Sequence, residues 1–363
     1  MNEILKKGNK GEWSEFYTFI KLLAERKLDA ADENLNKIRD IFYPVLRIIR
    51  EESSGKMEYE FADDNRVKII QAGSEIALVN GSDLKSKVAE IFRLIKDGDK
   101  SSFSIPEASE LMNRFHTTQL NAGNTKKEDI TLKIHDHYTG TEPDVGFSIK
   151  SLIGAASSLL NASPVTNFIF KVDDLSENHI EEINSIETSS KIRDRLSAVI
   201  AAGGSFSFEG MTSSVFKRNL RRIDAVLPEI VAQLLLAYFL GKGSSLRDIV
   251  NSFGESEADM LSFDLTRSDY EFKIKNLLYD VALGMVPGTA WDGCIRAHGG
   301  YIIVREDGEI VCYHVYNADA FRTYLFNNTR LETPSTSRHK FGFLYKENGA
   351  VYIKLNLQIR FIK

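Results

Sequence analysis

The sequence predicts a mixed α/β fold (α+β) in which a central mixed sheet is flanked by helices, with a helical N-terminal part and an antiparallel, β-rich C-terminal part. Three observations support this prediction. Apolar residues recur at helical spacing in the first third of the chain, the period changes to two from about residue 128, and the C-terminal region carries two hairpin patterns. With 363 residues, one large domain or two domains are expected.

The first helix is predicted over "GEWSEFYTFIKLLAERKL", where Trp13, Phe16, Ile20 and Leu23 lie on one face. The stretch "ENLNKIRDIFYPVLRIIREE" repeats this spacing and predicts a second helix with a kink at Pro44. A third helix, "SDLKSKVAEIFRLIKDG", begins at a Ser/Asp cap and ends at a glycine. A short strand, "NRVKIIQAG", lies between the second and third helices.

Paired strands are predicted next, over "DITLKIHDHYT" and "DVGFSIKS", with "PVTNFIFKV" as a third strand. Helices follow at about residues 176–200 and, as one long apolar helix, at 212–241. "GKGSS" after it resembles the end of a phosphate-binding loop, but it lacks the first glycine and the preceding strand, so it is interpreted as a helix end. Further helices over "SSLRDIVNSFG" and "YEFKIKNLLYDVALGMV" precede the two hairpins, "GGYIIVREDGEIVCYHVY" and "KFGFLYKENGAVYIKLNLQIRF".

Composition narrows the class of protein. No apolar run reaches membrane-spanning length and no signal peptide precedes the first helix, so a cytoplasmic protein without a membrane partner is expected. The two cysteines, Cys294 and Cys312, lack metal-binding spacing and suit reduced thiols. The net charge of −5 does not indicate a polyanion partner. However, the segment from Arg338 to the last residue contains six basic residues and one acidic residue, and "FKRNLRR" forms a second basic cluster.

The hairpin "IHDHYTGTEPDVGFSIKS" is the strongest candidate site. If it folds about Thr141 and Glu142, Asp136 lies nearly opposite Ser148 on the neighbouring strand. Ser148 shares a face with Lys150, since strand side chains alternate. Carboxylate oxygens bind Mg²⁺, which polarises a phosphodiester, and a nearby lysine stabilises the developing charge. The pattern therefore predicts metal-dependent hydrolysis of a phosphodiester.

The order of these residues resembles the PD-(D/E)xK nucleases, with Ser148 in place of the second acidic residue. As a set, "NKGEWSE", "IHDHYTG", "GFSIKS", "LLNAS", "TNFIF" and "RHKFGFLYKENGAVYIKLNLQIRF" resemble the HpaII family of type II restriction endonucleases, across both ends of the chain. The resemblance implies a restriction-endonuclease-like fold and Mg²⁺-dependent cleavage of double-stranded DNA at a short palindrome. The namesake of that family reads CCGG. It also implies a DNA methyltransferase that protects the host.

Two aspartates compete for the metal. Eleven residues separate Asp136 from Ser148, enough for a hairpin that brings them together, whereas "Pro143-Asp144" matches the literal motif and would act from the same strand as Lys150. A serine supplies no negative charge, and the resemblance suggests a glutamate from the first helix, with Glu15 preferred to Glu12. Two histidines that flank Asp136 favour a histidine-metal nuclease as a rival, although alternation directs them away from that aspartate.

DNA contacts are expected from basic residues, since arginine and lysine bind phosphates and guanine edges. Residues 1–240 are interpreted as the nuclease region and 241–363 as the recognition region. A palindrome suits a homodimer, and a monomer that nicks each strand in turn is the alternative. The alternative function is a sequence-specific DNA-binding protein without cleavage, because Ser148 breaks the motif. The DNA-contact candidates are Arg218, Arg221 and Arg222 at the start of the predicted long helix, and Arg330, Arg338, His339 and Lys340 in a polar loop.

Overall fold

A computed structural model describes residues 6–63, 65–121, 128–253 and 265–363. The chain forms two compact units whose sequences interleave. Unit 1 comprises Met1–Ser157, Ile295–Phe321 and Lys363, and unit 2 comprises Ser158–Cys294 and Arg322–Ile362. The units therefore change at residues 157 and 158 rather than near residue 240. The assignment of nuclease and recognition roles stays a prediction.

Unit 1 is built on one mixed sheet and three helices. Its helices are α1 (Lys10–Glu25), α2 (Leu84–Asp97) and α3 (Pro106–Arg114). Its strands are β1 (Lys27–Ala31), β2 (Lys37–Glu52), β3 (Gly55–Phe61), β4 (Arg66–Gln71), β5 (Ser74–Asn80), β6 (Ile130–Ile134), β7 (Asp144–Ser151), β11 (Gly300–Val304) and β12 (Ile310–Tyr313). These nine strands lie in the order β1-β12-β11-β7-β6-β2-β3-β4-β5, and β1 also pairs with β2. The mixed α/β prediction is confirmed.

The first helix, α1, is positioned by its cap and by its apolar face. Asn9 and Glu12 form a capping box, in which each side chain bonds the backbone N–H of the other, an arrangement worth about 1 kcal/mol. Trp13, Phe16 and Ile20 have no exposed surface and belong to the same hydrophobic core as the strands β6 and β7. The helix prediction for this stretch is confirmed, and the helix lies against the central strands.

The predicted second helix is wrong, because "KIRDIFYPVLRIIREE" forms the long strand β2. This strand pairs with β1, β3 and β6, so its backbone groups are satisfied by three neighbours. The run is rich in β-branched and aromatic residues, which favour strands, and Pro44 cannot continue a helix. Helical spacing was a poor guide here, since tertiary pairing decided the structure. The predictions for α2 and for the short strand β4 are confirmed.

Unit 2 contains most of the remaining elements. Its helices are α4 (His179–Asn184), α5 (Lys191–Ala201), α6 (Ser214–Ile223), α7 (Leu227–Phe239), α8 (Leu246–Ser252), α9 (Arg267–Leu283) and α11 (Thr336–His339), while α10 (Ala318–Asn327) carries the chain from unit 1 into unit 2. Its strands are β8 (Ser158–Leu160), β9 (Asn167–Asp173), β10 (Ser205–Met211), β13 (Thr329–Leu331), β14 (Leu344–Glu347), β15 (Ala350–Asn356) and β16 (Ile359–Phe361). They form a four-stranded sheet, β10-β9-β15-β14, and a three-stranded sheet, β13-β16-β8.

Several expectations for these later elements are confirmed and one is corrected. Both C-terminal hairpins form, β11–β12 in unit 1 and β14–β15 in unit 2. The predicted third strand is confirmed as β9, and it pairs with β10 and β15. The predicted long helix at 212–241 is two helices, because α6 ends at Ile223 and α7 begins with Leu227 and Pro228. In the described residues, no helix is long and apolar enough to span a membrane.

Candidate active site

The hairpin of β6 and β7 forms in the interior of the nine-stranded sheet, as predicted, but its register differs from the prediction. Ile130 pairs with Phe147, and an isolated bridge joins Asp136 to Thr141. The chain therefore turns about three residues earlier than expected. The Asp136 carboxylate accepts a hydrogen bond from the Tyr138 N–H at 2.9 Å, and Gly140 has a φ of 66°. Aspartate and glycine favour this tight turn, which the sequence interpretation overlooked.

The predicted position of Asp136 opposite Ser148 is consequently wrong. Asp136 lies at the turn end of the hairpin, where the Tyr316 hydroxyl donates a 2.6 Å hydrogen bond to its carboxylate. Burial alone would raise the pKa of Asp136, but the hydrogen bonds from Tyr316 and Tyr138 hold that pKa below its ordinary value. The Asp136 carboxylate is hydrogen-bonded to the Tyr138 N–H and the Tyr316 hydroxyl, and it does not contact Lys150.

Asp144, the second predicted aspartate, begins β7 and forms an ion pair with Arg47 at 3.1 Å. It shares a strand face with Lys150 but precedes it by six residues, which corresponds to about 20 Å along an extended strand. The structure therefore does not bring this aspartate to Lys150 either. The histidine rings of His135 and His137 are 4.9 Å apart at the same turn end, so the rival histidine site is equally remote from the lysine.

Asp129, which the sequence interpretation missed, is the carboxylate at the other end of the hairpin. Its Oδ2 accepts hydrogen bonds from the Ser148 hydroxyl at 3.1 Å and from the Ile149 N–H at 2.6 Å. Its own N–H donates to the Phe147 carbonyl at 2.8 Å, which continues the ladder of β6. Asp129 therefore faces Ser148, as the sequence predicted for Asp136. Ser148 precedes Lys150 by two residues in β7.

The signal for Asp129 was present in the sequence. The predicted strand "DITLKI" begins with this residue, and it precedes Ser148-Ile149-Lys150 by a stretch long enough for two strands and a turn. The sequence pattern places the turn around Pro143, and the register of β6 and β7 that follows from this turn does not bring Asp129 opposite Ser148. A shift of register moves every cross-strand partner, so the error in the turn became an error in the carboxylate.

Ser148 and Lys150 lie on one face of β7, beside strand β11. Tyr301 and Ile303 of β11 pair in register with Ser148 and Lys150. Ser148 is buried, and burial raises the pKa of the neighbouring Tyr301 phenol above its ordinary value. Lys150 is half-buried and forms no ion pair with any residue in the described ranges. The lysine amine is thus available beside a buried polar cluster.

Glu15 and Lys150 line the same cavity of unit 1, which has a volume of about 670 Å³. The Ser14 hydroxyl donates to the Ser151 hydroxyl at 2.8 Å and ties α1 to the end of β7. The loop after β7, including Gly154, forms another wall of this cavity. Glu12, the second choice, serves the helix cap, because its carboxylate accepts from the Asn9 N–H at 2.8 Å.

The carboxylates near this end of the hairpin are of the type that suits a hard cation. Asp129 presents one beside Ser148, and Glu15 presents another in the cavity that Lys150 also lines. Mg²⁺ prefers oxygen ligands, keeps several waters and needs only one or two protein carboxylates. Within the described parts of the chain, no three acidic, histidine or cysteine side chains form a preassembled metal cluster. The chemistry of these side chains fits Mg²⁺ better than zinc, which takes several nitrogen or sulfur ligands.

The predicted DNA-contact residues all lie in unit 2. Arg218, Arg221 and Arg222 are exposed on α6, which is a helix of its own and not the start of a longer one. Three others belong to a polar segment: Arg338 and Lys340 are exposed, whereas Arg330 is half-buried and lies 3.6 Å from Glu332. His339 differs, because its side chain is buried and its carbonyl accepts a 2.9 Å hydrogen bond from Asn167.

Asn219 on α6 is a second residue that sequence reasoning missed. Its buried amide donates to the carbonyls of Val286 and Thr289 and accepts from the Trp291 N–H at 3.0 Å. These three bonds hold an exposed, glycine-containing loop against the helix. At 100° per residue, Arg222 lies 60° from Asn219 around α6, so the loop adjoins the basic face. Nothing in a single asparagine signals this role, since its partners are backbone atoms far along the chain.

Comparison with known proteins identifies the family of this chain. The family model described as HpaII restriction endonuclease matches residues 9–361. The chain is 39% identical over 358 residues to the type II restriction enzyme HpaII of Haemophilus parainfluenzae, and the alignment covers 98% of each chain. No solved structure matches. A family match over nearly the whole length, together with a full-length relative, shows that this chain belongs to the HpaII restriction endonuclease family.

Proposed function

We propose that this type II restriction endonuclease hydrolyses phosphodiester bonds of double-stranded DNA at a short palindrome, with Mg²⁺ held beside Lys150. The observation that carries the proposal is the contact between Asp129 and Ser148, because Ser148 precedes Lys150 by only two residues on the same face of β7. CCGG is the first sequence to test, since the relative HpaII gives its name to the family. Asp129 takes the metal-ligand role that the sequence interpretation gave to Asp136 or Asp144.

Asp129 and Glu15 are the residues that would hold the metal. Asp129 offers its carboxylate at the start of β6, and Glu15 lines the cavity that Lys150 also lines. When bound, the Mg²⁺ ion supplies a positive charge that polarises the scissile phosphate and lowers the pKa of bound water. One or two carboxylates with water as the remaining ligands is a common Mg²⁺ arrangement next to phosphates.

The other site residues act through their own atoms. The Lys150 amine donates hydrogen bonds and positive charge to the non-bridging phosphate oxygens, where negative charge grows in the transition state. The Ser148 hydroxyl is uncharged, so it does not replace the negative charge of the missing acidic residue. This hydroxyl donates to Asp129 and holds that carboxylate in one orientation, which is the role outer partners play around metal ligands.

We propose that unit 2 supplies most of the contacts to the duplex. Four cations of α6, from Lys217 to Arg222, are exposed or half-buried along one face of the helix, and Arg338 and Lys340 add exposed charge. Such residues position a protein on phosphates, and arginine also reads guanine edges. His339 would contribute through its backbone or through packing, since its side chain is buried.

The cellular setting follows from this function. A restriction enzyme that cuts a palindrome acts either as a two-fold homodimer or as a monomer on each strand in turn, and we propose the homodimer. A cognate DNA methyltransferase would protect the host chromosome at the same sequence. We place the enzyme in the cytoplasm, where incoming DNA arrives; the two cysteines are free, Cys294 exposed and Cys312 buried.

Plasmid digestion tests the proposal. Wild-type protein with Mg²⁺ is expected to give discrete fragments, and sequencing of their ends identifies the site and the cut position. Lys150→Ala is expected to lose cleavage while it retains DNA binding. Lys133→Ala is the matched control, because Lys133 lies on the same hairpin and pairs with Glu142 at 3.1 Å. Full cleavage by Lys150→Ala would remove the lysine from the mechanism.

The same digestion decides between the proposal and its alternative. A DNA-binding protein without cleavage is favoured by one observation, the serine at the place of the second acid. That alternative predicts intact plasmid together with a retained, sequence-specific gel shift. Discrete fragments from the wild type, lost on addition of a chelator, would exclude it.

A further inference from the structure

Unit 2 contains a cavity of about 670 Å³, and among the residues that the structure describes its lining includes two cations and no carboxylate. The start of α5, the end of α7 and the segment 333–336 form the walls, together with part of the "GKGSS" stretch. Most of the other lining residues carry hydroxyl groups, among them Ser189, Ser190 and Ser244. Hydroxyls and cations without a competing acid are the chemistry that binds an anion.

Arg193 lies flat against the backbone of Gly241 in this cavity. A Cβ at Gly241 would stand 2.8 Å from the guanidinium carbon of Arg193, and the φ of this glycine is 86°. Only glycine therefore permits both the turn after α7 and the close approach of the guanidinium. Arg193 is exposed and forms no ion pair with any described residue, whereas its neighbour Lys191 pairs with Glu187 at 2.8 Å.

The segment around Gly241 thus ends a helix, as its sequence indicates, and also lines a cationic cavity. The Tyr238 hydroxyl and the Thr333 hydroxyl are 2.9 Å apart and join two walls. Ser190 precedes α5 without a side-chain capping bond, and the Lys191 N–H donates to the Thr188 carbonyl, so the backbone donors at the wall are the next two N–H groups, those of Ile192 and Arg193. A guanidinium with hydroxyl and N–H donors around it matches a tetrahedral phosphate, which accepts several hydrogen bonds at once.

We propose that this Arg193 cavity binds a phosphate group, and that the phosphate is supplied by the backbone of the DNA substrate. The proposal rests on the proposed function, since it takes DNA to be the substrate, and it adds a contact that the basic face of α6 does not provide. A phosphate held here would fix the register of unit 2 on the duplex without reading a base.

Fluorescence anisotropy tests this proposal with the full-length protein and a labelled duplex that contains the cut site, in the presence of a chelator and across a range of salt concentrations. Arg193→Gln removes the charge from an exposed side chain and keeps the fold. We expect it to weaken binding about tenfold near 0.1 M salt and to reduce the slope of log K against log salt by about one. Arg247→Gln, an exposed arginine of α8 outside the cavity, is the control and should change neither quantity.

Titration with pyrophosphate, followed by thermal shift, separates the two sources of phosphate. A decrease of about one in the slope of log K against log salt for Arg193→Gln supports the DNA backbone as the source. An unchanged slope with pyrophosphate stabilisation that Arg193→Gln abolishes supports the phosphate site and overturns the DNA source. If Arg193→Gln alters neither measurement, the proposal is overturned. Wild-type protein that fails to bind any duplex would refute the proposed function, and the pyrophosphate titration would still decide the cavity.

Discussion

The Ser148 hydroxyl donates a 3.1 Å hydrogen bond to the carboxylate of Asp129, across two antiparallel strands in the interior of the sheet. The Ile149 N–H donates to the same oxygen at 2.6 Å. Asp129, which immediately precedes β6, is thereby held against the last part of β7, which contains Lys150. This relationship replaces the predicted one between Asp136 and Ser148, and it brings a carboxylate to a position closer to Lys150 than Asp136 is.

Asp129→Asn is expected to reduce the cleavage rate by more than about a hundredfold, because an amide is a much weaker Mg²⁺ ligand than a carboxylate. The amide oxygen can still accept from Ser148 and Ile149, so the fold and the DNA affinity should be retained. Single-turnover cleavage of a plasmid with the cut site measures the rate. Asp136→Asn and Asp144→Asn are controls expected to cut normally, and an inactive Asp144→Asn beside an active Asp129→Asn would reverse the assignment.

Ser148→Ala is expected to lower the cleavage rate by about tenfold to a hundredfold and to raise the Mg²⁺ concentration needed for half-maximal activity. The serine acts by orienting Asp129, and one N–H bond to that carboxylate remains in the variant. A titration of activity against Mg²⁺ concentration measures the effect. A lower rate with an unchanged Mg²⁺ requirement would argue against this orienting role.

The sequence predicted the site's strands better than its partners. Alternation located β6 and β7, and the resemblance pointed to Lys150, since both depend on local pattern. The cross-strand partner depends on where the chain turns, and the hydrogen bond from Tyr138 to Asp136 that sets this turn is invisible in the pattern. Because the predicted turn lies about three residues too far along the chain, Asp136 is predicted in the position that Asp129 occupies.

A larger error, the helix predicted for the residues of β2, has the same origin in tertiary structure. The residues of β2 match helical spacing, yet three neighbouring strands satisfy this backbone and make it a strand. The interleaved units also could not be derived from sequence, because β11 and β12 join a sheet formed by residues that are far away in the chain. Local propensity carries no information on such long-range pairing.

A buried ion pair at the end of β2 gives a prediction on stability. The Glu52 carboxylate accepts from Arg50 at 3.0 Å and from the N–H groups of Thr118 and Gln119. Glu52→Ala leaves the buried Arg50 without its partner and should lower the free energy of unfolding by about 3–5 kcal/mol. Urea denaturation measures the change. Glu75→Ala, at an exposed position of β5 in the same sheet, should alter it by no more than about 0.5 kcal/mol, and equal losses in both variants would contradict the role of the pair.

Asp280 on α9 gives a prediction on pH. Burial raises the pKa of its carboxyl to about 6, although Arg322 acts in the opposite direction. Because the folded-state pKa lies above the unfolded value, the neutral carboxyl contributes fully to stability below about pH 4, and this contribution is lost as the pH rises through 6. At about 1.4 kcal/mol per pKa unit, the loss is at most about 3 kcal/mol. Asp280→Asn, which cannot ionise, should therefore be more stable than wild type above pH 6 and should lack this part of the pH dependence. Urea denaturation of both proteins from pH 4.5 to 8 measures the difference, and parallel profiles would show that Asp280 titrates at its ordinary pKa.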